Sequence, residues 1–333
     1  YDVVVTNPPY MGSSGMSAKL SDYVKKNYPD SKSDLFAVFI EHCEQMAKKN
    51  GYQAMITQHS WMFLYSFEKF RGKLLSMDII NMVHLGARAF EEIGGEVVQT
   101  TSFVIQKNSI PDYKGAYCRM IEPTNQQGKE DMFLAGENRY NIKEKEYKNL
   151  PGQIVAYWLS EKMLNIFKQP KMSEYAQPCK GLDTGDNNRF LRNWFEVELS
   201  KIGCGNIWIP YNKGGGYRKW YGLNDYVILW KNDGYELKYK SKANIRNEAL
   251  YYKQGLTWSD LSTNLFGARY CSGGFIFDAS GPMLFSEKNL FDIMAYMNSV
   301  PYQKILDIVC PGLHYNNGAI AKTPFFIKEF PSQ

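Results

Sequence analysis

The chain opens on three consecutive β-branched residues, Val3-Val4-Val5, followed at once by Asn7-Pro8-Pro9-Tyr10. An uninterrupted apolar run of this kind reads as a strand buried on both faces, as in the middle of a parallel sheet. Two prolines cannot donate to a ladder, so the strand must end there. Each proline also biases the residue before it toward extended backbone, which holds Asn7 and Pro8 in a stiff turn. Residues 11–33, rich in Ser, Gly, Lys and Tyr, read as a flexible loop. Leu35, Phe36, Phe39, Ile40, Cys43, Met46 and Ala47 then recur at helical spacing, with Ser33 or Asp34 as cap and Gly51 as stop. The pattern continues as a strand over 52–57, a helix over 66–77 and a strand over 79–85. Residues 97–106, preceded by Gly94-Gly95, read as a hairpin closing the sheet edge. Alternating strands and helices predict a doubly wound, mostly parallel α/β sheet, whose ligands bind beyond the carboxyl ends of the strands.

Pro111, Pro123, Pro151 and Pro170 punctuate the middle of the chain, and 111–174 reads as a connector between a first domain over 1–110 and a second over 175–333. In the second domain, 207–210, 226–231 and 234–240 read as strands, with Asn232-Asp233-Gly234 as a hairpin turn. Residues 266–277 suggest more strand, 289–300 a helix, and 311–318 another turn-forming loop. The expectation is a mixed α+β domain with many loops.

Composition narrows the classes. A content of 44% hydrophobic and 22% charged residues is that of a soluble globular protein, and no apolar run is long enough to span a membrane. The six cysteines and four histidines are scattered, which argues against a disulfide framework or a metal site and for a reducing, cytoplasmic setting. Of the 39 Lys+Arg and 34 Asp+Glu, residues 1–150 hold 18 and 18, which leaves 21 and 16 for the rest. The whole positive excess therefore sits away from the Asn-Pro-Pro-Tyr turn, a weak signature of nucleic-acid contact. The chain starts on Tyr1 inside a strand, without an initiator methionine, and is expected to be a piece of a longer protein.

The turn suggests a chemistry. The Asn7 side-chain oxygen and the Pro8 carbonyl are two acceptors on rigid backbone, with Tyr10 as a flat face beside them. An exocyclic amine could donate both hydrogens to the acceptors while its ring stacks on the tyrosine. Gripping a conjugated amine in this way favours the pyramidal geometry that localises its lone pair, so no strong base is needed for attack on a sulfonium methyl group. The plainer reading is a strand-terminating turn without chemistry. In the second half, Lys213-Gly214-Gly215-Gly216-Tyr217-Arg218-Lys219-Trp220-Tyr221-Gly222 lacks the Gly-Lys-Ser/Thr of a P-loop. It reads either as a flexible hairpin or as a loop whose glycines approach a phosphate while cations and aromatics supply charge and stacking. Arg189 and Arg192, ending a turn-rich run from Gly181, favour the second reading.

These stretches together resemble adenine-specific DNA methyltransferases, most closely the PglX type of phage-exclusion (BREX) systems. The chain is also similar to the fused restriction-modification methyltransferases. The resemblance rests on Asn7-Pro8-Pro9-Tyr10, on 34–41, on the strand leading to Thr57, Ser60 and Trp61, and on the 184–192, 213–222 and 269–277 segments. It implies a partial doubly wound (Rossmann-like) methyltransferase sheet plus a mixed α+β target-recognition domain. It implies S-adenosylmethionine as cofactor and duplex DNA as partner, with other defence-system proteins as further partners. Asn7, Pro8, Pro9 and Tyr10 would then form the catalytic turn around a flipped adenine. Phe103 would pack the base's other side, and Asp34 would border the cofactor pocket. Arg189, Arg192, Lys213, Tyr217, Arg218, Lys219, Trp220 and Arg269 would contact DNA.

One departure is large. No strand–Gly-x-Gly–helix unit precedes Asn7, and the glycines at 267 and 273–274 lack that context. The cofactor half is therefore expected to lie outside this sequence, leaving the fragment inactive alone. Two other readings stay open: a methyltransferase acting on RNA or on a protein glutamine, and a non-catalytic DNA-binding or docking module.

Overall fold

The computed structural model describes residues 1–90, 98–262, 265–310 and 314–325. The chain divides into two compact units, Tyr1–Asn165 and Ile166–Gln333.

The first unit runs β1 (Val3–Thr6), α1 (Ala18–Asn27), α2 (Leu35–Met46), β2 (Tyr52–Gln58), α3 (Glu68–Leu74), β3 (Asp78–Gly86), β4 (Thr100–Gln106), β5 (Gly115–Arg119), α4 (Gln126–Leu134), β6 (Arg139–Ile142) and α5 (Glu161–Ile166), which ends at the division. Its six strands form one sheet in the order β1-β2-β4-β3-β5-β6. β1 lies parallel to β2 and β3 to β5, whereas β4 runs against β2 and β3, and β6 against β5. The sheet is thus α/β but mixed rather than mostly parallel. β4 pairs antiparallel with β3 as a hairpin partner would, yet it inserts between β2 and β3 instead of closing the edge. Gly94, Gly95 and Val97 lie outside the described residues.

Three more expectations change here. Among the described residues β1 pairs only with β2, and Val3 and Val5 are 56% and 72% exposed, so the valine run is an edge strand and not a doubly buried one. Residues 11–33 are not all loop: Ser17 caps α1 by accepting from the Leu20 N–H, and Val24 buries against Tyr28 and Val38. The expected connector 111–174 falls mostly within the first compact unit, and its strands β5 and β6 extend the sheet on the side away from β1.

Asp34 is the cap of α2, accepting from the Phe36 N–H. The helix buries Phe36, Ala37, Val38, Ile40 and Cys43, and each large apolar side chain so buried contributes about 2 kcal/mol. Below it, Met55, Met82 and Phe103 lie side by side across β2, β3 and β4, all nearly solvent-free, with the Trp61 ring edge-on to Phe103 at 5.5 Å. The buried Arg71 guanidinium on α3 donates to the carbonyls of Trp61 and Leu64, both 2.7 Å away, and of Gly152 at 2.8 Å. It fixes the segment just after β2.

The second unit contains β7 (Gln177–Cys179), α6 (Asn187–Phe190), β8 (Leu191–Asn193), β9 (Trp208–Asn212), β10 (Tyr226–Leu229), α7 (Lys231–Lys240), β11 (Gly255–Thr257), β12 (Arg269–Cys271), β13 (Ile276–Phe277), β14 (Met283–Phe285), α8 (Leu290–Met297), α9 (Val300–Val309) and α10 (Asn317–Ala321). The strands form two four-stranded sheets, β13-β9-β10-β8 and β12-β11-β14-β7. Leu182, Phe190, Ile209, Tyr211, Ile228, Trp230 and Phe277 centre its core. The expected strand at 234–240 is helical. Asn232, Asp233 and Gly234 do adopt positive φ (53°, 56° and 70°), but they form a kink inside α7 and not a hairpin turn. Residues 311–313 of the expected last loop lie outside the described residues.

Candidate active site and recognition surface

The turn after β1 is held from two sides. Thr6 pairs with Met55 of the parallel neighbour β2, and the Tyr10 hydroxyl donates to the Ile56 carbonyl at 3.2 Å. The Tyr10 ring stands edge-on to Phe36, the second residue of α2, at 6.2 Å. The Asp34 carboxylate accepts from the N–H of Met11 at 3.0 Å and of Phe36 at 3.4 Å, while the Leu35 N–H donates to the Met11 carbonyl at 2.9 Å. One capping residue therefore also straps down the chain just past Tyr10. Within this frame Asn7 and Pro9 are exposed, Pro8 is buried and Tyr10 is partly buried. Burial pushes the Tyr10 phenol up to about 12, so the ring stays neutral and remains a donor at physiological pH.

Not every residue expected at this site reaches it. Phe103 is 1% exposed and its ring faces Trp61, so in this structure it is a core residue with no face free for a base. Strand alternation explains this, since Phe103 shares its face with Met55 and Met82. Conversely, His59 and His84, dispersed in the sequence, meet: His59 Nδ1 lies 2.7 Å from His84 Nε2. His59 immediately follows β2 and His84 sits near the end of β3, which runs in the same direction. Only a three-dimensional pairing of these strand ends could have disclosed the contact.

The glycine-rich loop of the second unit is anchored at one end and open at the other. A Cβ on Gly214 would lie 1.8 Å from the Ser280 carbonyl oxygen, so only glycine fits, whereas Gly215 and Gly216 face open space. Ser259 Oγ accepts from the Gly215 N–H at 3.2 Å and donates to the Gly216 carbonyl at 2.9 Å. Beyond it Tyr217, Arg218, Trp220 and Tyr221 point outward, with Trp220 in the left-handed region at φ 74° and 51% exposed. Lys213 sits over the Tyr226 ring at 5.9 Å. Arg189 is half-exposed, pairs with Glu236 and lies over the Phe190 ring, and Arg192 Nη1 donates to the Asn188 and Leu191 carbonyls.

Two expected DNA contacts turn inward. Lys219 Nζ donates to the Asn298 carbonyl at 2.7 Å. Arg269 is fully buried, because β12 pairs with β11 on one side and bridges the Trp220 backbone on the other. Its Nε and Nη2 have no hydrogen-bond partner among the described residues, and burial pulls the guanidinium down to about 10. It cannot touch a ligand in this conformation.

Comparison with known proteins shows what the chain is similar to. Residues 1–90 match the family described as Eco57I restriction-modification methylase. Over 97% of its length the chain is 43% identical to the adenine-specific methyltransferase BrxX of Escherichia coli O9:H4 (strain HS). BrxX is a homologue of nearly the whole of this chain. The adenine-specific methyltransferase PglX of Lacticaseibacillus casei (strain Zhang) is 40% identical over 99% of the chain. The chain spans 28% and 30% of the lengths of BrxX and PglX. Its fold is similar to that of the type IIL restriction-modification enzyme MmeI, solved in complex with DNA. The TM-score is 0.60 at 14% identity, covering 99% of this chain and 47% of MmeI.

Proposed function

We propose that this chain provides the amine-gripping turn and the DNA-reading unit of an adenine-specific DNA methyltransferase of the BrxX and PglX kind, acting in phage defence or restriction-modification. The observation that carries the proposal is the turn itself. Asn7 is exposed at the carboxyl end of β1, and Tyr10 is fixed by Ile56 on one side and the start of α2 on the other. Asn7 Oδ1 and the Pro8 carbonyl accept the two N6 hydrogens of an adenine flipped from the duplex, and Tyr10 stacks on its ring. Acceptors held in place beforehand favour the pyramidal amine of the transition state over the flat ground-state amine. The second unit grips the duplex through Arg189, Arg192, Lys213 and Arg218, with Tyr217 and Trp220 as stacking faces.

The implied cofactor is S-adenosylmethionine, which when bound supplies an electrophilic methyl group. The described residues fit the acceptor side of that reaction. On the donor side, Asp34 supports the turn through Oδ1, which accepts from the amides of Met11 and Phe36, and its Oδ2 is left to border the cofactor pocket. Among the described residues β1 pairs on one side only, so the backbone groups of its other edge are open to a further strand. Two assays test the reading: methyl transfer to N6 of adenine in duplex DNA by the intact gene product, and a salt-sensitive mobility shift of duplex DNA by this chain. A shift without any methylation would favour the docking-module reading.

A further inference from the structure

His59 and His84 belong to a longer buried chain of hydrogen bonds. Beyond the His59–His84 contact, His84 Nδ1 lies 3.0 Å from the Tyr157 hydroxyl. His84 is 3% exposed and Tyr157 fully buried, while His59 keeps some exposure. Aromatic rings fix all three: Phe63 stands edge-on to His59 at 5.3 Å, and Tyr117 stacks on Tyr157 at 4.9 Å and 11°. Burial holds both imidazoles neutral, pulling His59 down to about 4 and His84 to about 3, with Arg119 and Lys129 further opposing charge on His84.

Two neutral imidazoles and a phenol admit two directions of donation, and the surroundings select one. Among the described residues the Tyr157 hydroxyl has no partner other than His84. If His84 donated from Nδ1, the phenolic proton would be buried without an acceptor, a costly arrangement. Tyr157 therefore donates to His84 Nδ1, and His84 Nε2–H donates to His59 Nδ1. His59 must then carry its own proton on Nε2, an atom with no partner among the described residues. The relay ends in a neutral donor.

That donor lies at the sheet end where the Asn7–Tyr10 turn lies. β1, β2 and β3 run in one direction, and His59 is three residues beyond Ile56, whose carbonyl holds Tyr10. Resting on the function proposed above, we infer that His59 is a base-specificity residue. Its Nε2–H, oriented by His84 and Tyr157, donates to a ring nitrogen of the target adenine beside the gripped amine, N1 or N7. An uncharged donor suits an uncharged ring nitrogen better than a phosphate, which a cation would hold more strongly. Contact at N1 would also exclude guanine, whose N1 carries a hydrogen.

The test has two arms. In this chain, nitrogen-15 spectra of the imidazoles at pH 7 should show His59 and His84 both neutral and both protonated on Nε2, and Tyr157→Phe should disturb this pattern in both rings. His59 protonated on Nδ1, or charged at pH 7, would overturn the inference whatever becomes of the methyltransferase reading. In the intact gene product, 1-deazaadenine or 7-deazaadenine at the target should lower kcat/KM about tenfold. His59→Phe should lower it about tenfold on adenine and add nothing on that analogue. Losses that add for both analogues, or no loss with His59→Phe, refute the contact. A wild-type protein that methylates no adenine refutes the function and the contact together, while the spectra still report the relay.

Discussion

The Tyr10 hydroxyl donates to the main-chain carbonyl of Ile56 at 3.2 Å, so the turn that ends β1 is tied to the neighbouring strand through the one polar atom of its aromatic ring. The tie and the ring face can be separated. Tyr10→Phe removes the hydrogen bond and should lower stability by about 1 kcal/mol in urea unfolding. The same variant of the intact protein should keep kcat/KM for adenine methylation within about threefold. Tyr10→Ala removes the face as well, and loss of base stacking worth roughly 1–3 kcal/mol should lower kcat/KM by about 5- to 150-fold. Equal effects of the two substitutions on kcat/KM would show that the ring does not stack on a base.

Arg71 offers a test of the scaffold. Its guanidinium bonds three carbonyls from two separated nitrogens, Nη1 to Trp61 and Leu64 and Nε to Gly152, a geometry that the single nitrogen of an ammonium does not reproduce. Arg71→Met should destabilise the first unit by about 3 kcal/mol, and Arg71→Lys should recover little of that. An unchanged urea midpoint for Arg71→Met would contradict the clamp.

Acid stability depends on three buried groups in the first unit. His59 and His84 have folded values of about 4 and 3 against an ordinary 6.5, so the unfolded chain binds their protons first. The stability they contribute is complete above pH 6.5 and is lost as pH falls toward 4, by about 1.4 kcal/mol per pH unit for each histidine. Glu144 acts in the opposite sense. Burial raises it to about 7, so its contribution is complete below pH 4.5 and is lost as pH rises through 7. Glu144→Gln should therefore steepen the fall in stability between pH 6.5 and 4.5, as read by denaturant midpoints at half-unit steps. A fall equal to that of the wild type would mean that Glu144 does not titrate in this window.

The two directions taken by the basic residues of the second unit predict two behaviours in DNA binding. Arg218→Ala, at an exposed guanidinium, should reduce the slope of log affinity against log salt concentration by about 0.9. Lys219→Met should leave the slope unchanged, because its ammonium is committed to the Asn298 carbonyl. Arg269→Met should also leave it unchanged. It should raise the melting temperature besides, since it replaces a buried guanidinium with two unpaired nitrogens by an apolar chain of similar length.

What the sequence disclosed and what it hid divide along physical lines. The helix from Asp34 and the strands at β2, β3 and β4 were readable because their apolar periodicity is strong and their caps are local. The Asn-Pro-Pro-Tyr turn was readable because two prolines restrict the backbone whatever surrounds them. The exposure of Val3 and Val5 was not, because a β-branched run looks the same at an edge as in the middle of a sheet. The helical state of 235–240 was hidden because Tyr235, Leu237 and Tyr239 alternate with polar residues, the signature of a strand, and only packing of Leu237 into the core overrides it. Arg269 and Phe103 show the same limit for the sites. Residue type suggests contact with DNA or a base, but alternation along their strands puts both side chains on a covered face.

The central claim is that Asn7 holds the amine that is methylated. It is tested most directly by quantifying N6-methyladenine in duplex DNA treated with the intact gene product and with its Asn7→Ala variant, together with the unfolding midpoint of each. Asn7 is exposed, so the variant should unfold at the wild-type midpoint, and the account predicts that its methylation is abolished. Methylation at the wild-type rate by Asn7→Ala would contradict the account.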